Sequence, residues 1–157
     1  MKRYELRENI PEKVAQDLAR YSELVQKLLF YRGISDAETA DKFFKPDFER
    51  DLHDPFLLPN MDEAVSRILL AIKENQRFTI YSDYDADGIP ASVALHDFFK
   101  KIGYENFDVY IPHRNREGFG LNKKAIKEIH SRGSKLIITV DCGTSDVDEV
   151  SLARELG

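Results

Sequence analysis

The sequence lacks the features that mark membrane, secreted and disulfide-bonded proteins. It contains a single cysteine, Cys142, which cannot form an internal disulfide and agrees with a reducing compartment. No apolar run approaches the roughly 20 residues that cross a bilayer. The first residues, MKRYELRENIPEKV, also lack the apolar stretch of a secretory signal. These absences predict a cytoplasmic protein that does not act at a membrane.

Internal repeats and low-complexity segments are also missing from the chain. The 157 residues are 42% hydrophobic and 32% charged, which supplies enough apolar material for a globular core and argues against disorder. The net charge is −5, with a pI near 5.4. A protein of this charge does not coat nucleic acid through its overall field, so any such contact has to be local.

The first part of the chain, residues 1–75, has the pattern of a helical lead followed by a connection. Apolar residues at steps of three and four predict one helix from Pro11 to Arg32. Ser35 with Glu38 forms a capping box that begins a second helix, and a third follows Asn60. The turn-rich connection PDFERDLHDPFLLP precedes that third helix. We expect it to be packed down by Phe56, Leu57 and Leu58.

The second part, residues 76–157, alternates between strand and helix patterns. Short β-favouring runs lie at Phe78–Tyr81, Phe107–Ile111 and Leu136–Val140, and a segment with helical features follows each of them. This order predicts an α/β fold, a three-layer and Rossmann-like domain with a parallel sheet and right-handed crossovers. The unbroken apolar run of the third strand is typical of a strand covered on both faces.

An acidic segment, YSDYDADGIP, follows the first predicted strand. Asp83, Asp85 and Asp87 alternate there, and Gly88 permits a sharp turn into the next helix. Ligands of open α/β sheets bind at this carboxyl edge. Three neighbouring carboxylates repel one another unless a cation neutralises them, and hard oxygen ligands favour Mg²⁺, Mn²⁺ or Ca²⁺. A metal site is the interpretation that explains the segment most directly.

Asp141 supplies a fourth carboxylate where the third predicted strand ends, in LIITVDCG. Two parallel strands that end in aspartate at the same edge can bring these side chains to a shared pair of ions. Two-metal hydrolases are built in this way. Cys142 is expected to fill a small space beside the site and not to act as a nucleophile.

Other interpretations of the acidic residues stay open. Turns favour Asp and Gly, so the segment could be a solvated turn, and Asp141 by itself could be a cap. The D-x-D-x-D-G pattern also opens an EF-hand calcium loop, although Ala94 stands at the twelfth position in place of glutamate. An aspartyl-phosphate phosphotransferase requires Thr or Val where Asp87 stands.

A basic segment follows the second predicted strand. Seven Lys or Arg face two Glu between Pro112 and Lys135, which reverses the sign of the chain's charge and is typical of a phosphate-binding rim. Arginine can grip a phosphate through two parallel hydrogen bonds, and Phe119 could stack on a base or pack against the sheet. The predicted substrate-binding residues are His113, Arg114, Arg116, Gly118, Phe119 and Gly120.

Three segments in order, YSDYDADG, IPHRNREGFG and LIITVDCG, resemble the DHH phosphoesterase superfamily and, within it, the RecJ single-strand DNA exonucleases. The resemblance extends from about Tyr31 to the end of the chain, and it implies that residues 76–157 are the N-terminal half of a DHH domain. It implies hydrolysis of single-stranded DNA from a 5′ end with two Mn²⁺ or Mg²⁺ ions, and contacts with other DNA repair or replication proteins.

Position by position, the resemblance implies that Asp85, Asp87 and Asp141 are metal-binding catalytic residues, with Asp83 as a further ligand. Arg114 matches the arginine of the family's His-Arg pair, which would hold substrate phosphate. Phe119 stands where RecJ proteins commonly have tyrosine. The Asp-His-His motif that gives the superfamily its name is not in the sequence. We therefore expect little or no nuclease activity from this polypeptide alone.

Two alternative functions remain. A DHH enzyme that acts on oligoribonucleotides or cyclic dinucleotides would share the aspartates. A non-catalytic module that keeps the fold and binds a partner protein would be as stable without metal as with it.

Overall fold

The structure, a computed structural model, describes residues 9–157 and divides the chain into two compact units. The first unit ends at Leu58 and the second runs from Pro59 to Gly157. The first eight residues lie outside the described residues. They belong to the segment in which the sequence shows no secretory signal. Within residues 9–157, none of the helices has both the length and the apolar character that a membrane span needs.

The first unit consists of short helices around a small apolar core. Its helices are α1 Glu12–Asp17, α2 Glu23–Phe30, α3 Ala37–Phe44 and α4 Phe48–Asp51, followed by a 3-10 turn at Pro55–Leu57. The prediction of one helix from Pro11 to Arg32 is wrong, because the chain turns between α1 and α2. This turn allows Leu18 and Leu29, on either side of it, to be buried in the same core, with Ile34 and Ala40.

Aspartate side chains cap both the start of α3 and the 3-10 turn in the connection that follows it. Asp36, and not Ser35, caps α3 by accepting the backbone N–H of Thr39. In the 3-10 turn, the Asp54 carboxylate accepts the N–H of Phe56. The prediction that this connection is packed down is wrong, since its large apolar side chains are 52%, 74% and 60% exposed at Phe56, Leu57 and Leu58.

The second unit confirms the predicted α/β alternation. Its strands are β1 Phe78–Ser82, β2 Phe107–Tyr110 and β3 Leu136–Val140, and its helices are α5 Met61–Lys73, α6 Gly88–Lys101, α7 Lys123–Ser131 and α8 Val147–Glu155. In the described residues the sheet has the order β2-β1-β3, and both pairings are parallel. All three strands therefore present their carboxyl ends at one edge.

Side chains of β1 alternate between two apolar clusters on the two faces of the sheet. Phe78 and Ile80 pack with residues of α5 and α6, such as Ala71 and Phe99. Tyr81 packs on the other face with Ile126 and other α7 residues. The helix α5, which the sequence pattern groups with the N-terminal lead, therefore covers one face of the sheet in the second unit.

The strand that is buried throughout is β1, whereas β3 is half-buried and exposes Thr139. The prediction that β3 is covered on both faces is therefore met only in part. Burial differs because β1 is paired on both sides, while β3 is paired on one side in the described part of the sheet.

Candidate metal centre and arginine loop

The carboxyl ends of β1 and β3 lie side by side. Ser82 of β1 is paired with Val140 of β3, and the next residues along the two strands are Asp83 and Asp141. Each of Asp83, Asp85 and Asp141 offers a carboxylate oxygen, and these three oxygens lie within 4.8 Å of one another. Acidic side chains from two strands thus converge at one point of the edge, as the parallel topology predicts.

The short segment of residues 83–88, which we call the aspartate loop, is shaped by hydrogen bonds within itself. The carboxylate of Asp85 accepts the backbone N–H groups of Asp87 and Gly88, at 2.9 and 3.0 Å. These bonds lower the pKa of Asp85, and the bond from Gly88 has the largest effect. The buried carboxylate of Asp83 accepts the N–H of Tyr84 at 2.7 Å. Both carboxylates are therefore oriented before any ligand binds.

Gly88 is the point at which the loop enters α6. A Cβ at this position would lie 2.5 Å from the backbone oxygen of Asp83, a distance that no real Cβ tolerates without a shift. The Ser82 hydroxyl also donates to the Gly88 carbonyl, at 2.6 Å. The chain needs glycine here for close backbone packing.

Asp141 has an uncommon backbone conformation and lies close to other negative charges. Its φ of 59° lies in the left-handed region, which is uncommon for a residue other than glycine. Loss of hydration, followed by the negative charges of Asp85, Asp87 and Asp83, raises the pKa of Asp141. A divalent cation would remove this repulsion, and three clustered carboxylate oxygens are the donor set that Mg²⁺ or Mn²⁺ prefers.

Asp87 is not one of the three carboxylates that the structure groups together. It is exposed and occupies the N-cap position of α6. Its charge nevertheless raises the pKa of Asp141, so it belongs to the same electrostatic environment. Its predicted role as a ligand stays a prediction, while Asp83 lies within the group.

Residues 111–122, which we call the arginine loop, connect β2 to α7. The guanidinium of Arg114 lies over the ring of Tyr84, with its carbon 5.3 Å from the ring centroid. The charge of Arg114 also contributes to the lowered pKa of Asp85. The arginine loop thus brings a cation to the border of the acidic group, as a phosphate-binding side chain requires.

The remaining predicted substrate-binding residues line the same loop. Arg116 is exposed, and so is His113, whose ring Nδ1 accepts the N–H of Asn115. Phe119 is 66% exposed, which removes the alternative that it packs against the sheet. Gly118 and Gly120 both have positive φ.

The carboxylate of Asp146 approaches Gly120 closely. A Cβ on Gly120 would lie 2.8 Å from an Asp146 oxygen, and the same oxygen accepts the N–H of Leu121. The glycine is thus needed for contact with the segment after β3.

Cys142 lies beside the site with a protonated thiol. Burial raises its pKa to about 11, and its Sγ lies 3.9 Å from the Tyr81 carbonyl oxygen. This environment agrees with the interpretation of Cys142 as a space-filling residue, because nucleophilic cysteines have lowered pKa values.

Several residues that shape the site were not identified from the sequence. The sequence pattern assigns no role to Tyr84, and Glu117 enters it only as a negative charge in the basic segment. Asn122 carried a usable signal, since it precedes a helical pattern and does cap α7 by accepting the N–H of Ala125. Other contacts join residues far apart in the chain, and sequence spacing does not reveal them.

Fold and site together define an α/β domain with a candidate cation centre at the carboxyl edge of its sheet, facing an arginine-bearing loop. Comparison with known proteins supports this class of protein and identifies its family. The DHH family, N-terminal domain, matches residues 77–157, and the chain belongs to that family.

Curated relatives place the chain near one group of exonucleases. The single-stranded-DNA-specific exonuclease RecJ of Bacillus subtilis is 44% identical over 135 residues, which is 85% of this chain and 17% of that protein. The protein of the same name from Escherichia coli is 29% identical over 98% of this chain and 26% of its own length. The chain thus spans about a quarter or less of these two relatives.

Among solved structures, the fold resembles that of RecJ in complex with Mn²⁺ from Thermus thermophilus. The TM-score is 0.56 at 22% sequence identity, over 91% of this chain and 19% of the other. At this identity the match supports the fold.

Proposed function

We propose that the chain forms part of a RecJ-like exonuclease of the cytoplasm, which removes nucleotides from the 5′ end of single-stranded DNA with two Mn²⁺ or Mg²⁺ ions. The observation that carries this proposal is the convergence of Asp83, Asp85 and Asp141 at one point, with Arg114 at its border. The name of the 44% identical relative supports the choice of substrate.

The acidic residues would hold the cations. Asp83, Asp85 and Asp141, whose oxygens lie together, would be ligands, and Asp87 would be a further ligand. Bound divalent ions supply an activated water and stabilise the charge that develops on phosphorus. The chain's own contribution is orientation, because Asp83 and Asp85 are aimed by backbone amides and Asp141 is fixed at the end of β3.

The arginine loop would hold the DNA. Arg114, supported by the Tyr84 ring, binds a phosphate next to the carboxylates, and Arg116 and His113 extend this contact along the strand. Phe119 stacks on a base, which requires an unpaired nucleotide and favours single strands. Gly118 and Gly120 allow the backbone to turn beneath the substrate.

The proposal is tested by a chimera in which the 135-residue matching part of this chain replaces the corresponding part of the Bacillus subtilis RecJ. We expect the chimera to digest a long single strand in Mn²⁺ and to spare a duplex, and the same chimera with Asp85→Ala to be inactive. A preference for dinucleotides would contradict the choice of substrate. Full activity of the Asp85→Ala chimera would contradict the metal site.

The 157-residue chain alone should bind Mn²⁺ and single-stranded DNA but hydrolyse little of it. The reason is that the Asp-His-His motif is not among its residues. Anisotropy of a fluorescent oligonucleotide, measured with and without Mn²⁺, checks the binding. Equal stability with and without Mn²⁺, together with no binding of the oligonucleotide, would favour a non-catalytic module.

A further inference from the structure

A single carboxylate ties the two ends of the arginine loop together. One oxygen of Glu117 accepts the backbone N–H of His113 at 2.6 Å. The other oxygen accepts the hydroxyl of Tyr110 at 2.5 Å and the side-chain amide of Asn122 at 3.3 Å. His113 begins the turn that carries Arg114, Tyr110 ends β2, and Asn122 caps α7.

The turn itself is closed on His113. Its carbonyl oxygen accepts the N–H groups of both Arg116 and Glu117, each at 2.9 Å. The Glu117 side chain returns to the N–H of the same His113. Arg114 therefore lies inside a ring of hydrogen bonds that Glu117 completes, and its guanidinium is directed toward Tyr84.

We propose that Glu117 is a positioning residue, which fixes the conformation of the arginine loop and thereby the placement of Arg114 on the substrate phosphate. This rests on the proposed function only in the role of Arg114. The hydrogen bonds that Glu117 accepts come from His113, Tyr110 and Asn122 and not from any residue of the aspartate loop. Glu117 acts through the backbone of His113.

The base of the arginine loop, at Gly120 and Leu121, is held by hydrogen bonds that do not involve Glu117. The Tyr81 hydroxyl donates to the Gly120 carbonyl at 2.9 Å, and Asp146 accepts the N–H of Leu121 at 2.8 Å. Loss of Glu117 should therefore release residues 113–116 and leave the base of the loop in place.

The three bonds require a carboxylate. Glutamate offers two accepting oxygens to three donors. These bonds lower the pKa of Glu117, with the bond from His113 having the largest effect, and they keep the side chain ionised. Glutamine has one accepting oxygen, so in either orientation of its amide an NH₂ group faces a donor. We therefore expect Glu117→Gln to keep the size of the side chain and to lose part of its function.

A purely electrostatic role and a positioning role of Glu117 predict opposite changes in DNA affinity when Glu117 is replaced. Glu117 is a negative charge in a basic segment, so its removal would strengthen DNA binding if charge alone mattered. If it positions Arg114, its removal weakens binding. Glu128 is the matched control, because it is an exposed glutamate on α7 whose partner is Arg132.

The experiment uses the 157-residue chain and a fluorescent oligothymidylate in Mn²⁺. We expect Glu117→Ala to weaken binding about tenfold, since hydrogen bonds to a charged group are lost. Glu117→Gln should lose less, and Glu128→Ala should bind as the unmodified chain does or more tightly. Binding by Glu117→Ala that matches Glu128→Ala would overturn the inference.

A double-mutant cycle with Arg114→Ala separates positioning from general damage. If Glu117 acts mainly through Arg114, the loss caused by Glu117→Ala should be clearly smaller in the Arg114→Ala background than in the unmodified chain, with only the share carried by Arg116 and His113 remaining. Additive losses would overturn the inference. The Mn²⁺ affinity of Glu117→Gln should stay unchanged and its thermal midpoint should fall by only about 2–4 °C, which a general loss of structure would not permit.

Amide hydrogen exchange tests the loop without DNA. In Glu117→Gln the amide of His113 should exchange faster while that of Ile80 in β1 keeps its rate. Unchanged exchange at His113 overturns the inference even if Glu117→Ala does not fold. Failure of the unmodified chain to bind oligothymidylate counts against the proposed function, and hydrogen exchange then decides the inference by itself.

Discussion

The aspartate loop and the arginine loop follow neighbouring parallel strands at the same edge of the sheet, yet they are held in different ways. Hydrogen bonds between residues 82 and 88 shape the aspartate loop. Side chains from β1, β2 and the segments flanking α7 and α8 shape the arginine loop. One site thus joins a locally determined part to a part that depends on the whole fold.

The two loops also differ in what their charges do to the protein without ligand. The carboxylates of Asp83 and Asp85 lie close to that of Asp141, and loss of hydration together with the negative charges of the aspartate loop raises the pKa of Asp141. The arginine loop carries exposed cations that water already solvates. Cation binding should therefore stabilise the fold, whereas DNA binding should depend mainly on the orientation of the arginines.

The largest effect is expected from Asp85→Ala. Loss of this ligand should reduce Mn²⁺ affinity on the order of 100-fold, because it removes both a ligand oxygen and the two hydrogen bonds that Asp85 accepts from Asp87 and Gly88. Isothermal titration calorimetry measures the change. Asp97→Asn, which alters an exposed carboxylate on α6, is the control and should bind Mn²⁺ normally. Equal affinity in the two variants would contradict the assignment.

Gly88→Ala should destabilise the second unit by about 2 kcal/mol, since the new Cβ must displace the backbone of Asp83. Urea denaturation provides the measurement. Helix propensity alone predicts the opposite sign, a stabilisation of about 1 kcal/mol. A more stable variant would mean that the aspartate loop is looser than the structure describes.

Arg114→Ala should weaken oligonucleotide binding about tenfold through loss of a charge-assisted phosphate contact. Mn²⁺ affinity should not fall, because the aspartates keep their own supports. The control is Arg154→Ala, an exposed arginine in the last turn of α8. An equal loss of oligonucleotide affinity in both arginine variants would mean that binding depends on total charge and not on the arginine loop.

Tyr81→Phe should have the smallest effect, a loss of about 1 kcal/mol in unfolding free energy. Its hydroxyl donates to Gly120 and accepts from Asn122, so the substitution loosens the arginine loop at its base. Denaturation curves and Mn²⁺ titration together check it. A fall in Mn²⁺ affinity would show that the two loops are coupled, contrary to the separation described above.

The same contrast explains what could be predicted from the sequence. The strands and the convergence of Asp83, Asp85 and Asp141 follow from local apolar runs and from the parallel topology that alternation implies. Glu117 and Asp146 could not be assigned, because their partners lie on other elements and spacing does not encode them. The turn between α1 and α2 could not be predicted for a similar reason, because it is determined by the burial of Leu18 and Leu29 in one core.

The central claim is that carboxylates from β1 and β3 share a divalent cation, and the thermal midpoint of Asp141→Asn tests it most directly. Asparagine tolerates the left-handed backbone and removes the repulsion. Without metal, the variant should therefore be at least as stable as the unmodified chain. Saturating Mn²⁺ should raise the midpoint of the unmodified chain and leave that of the variant nearly unchanged. An equal rise in both proteins would contradict a shared site.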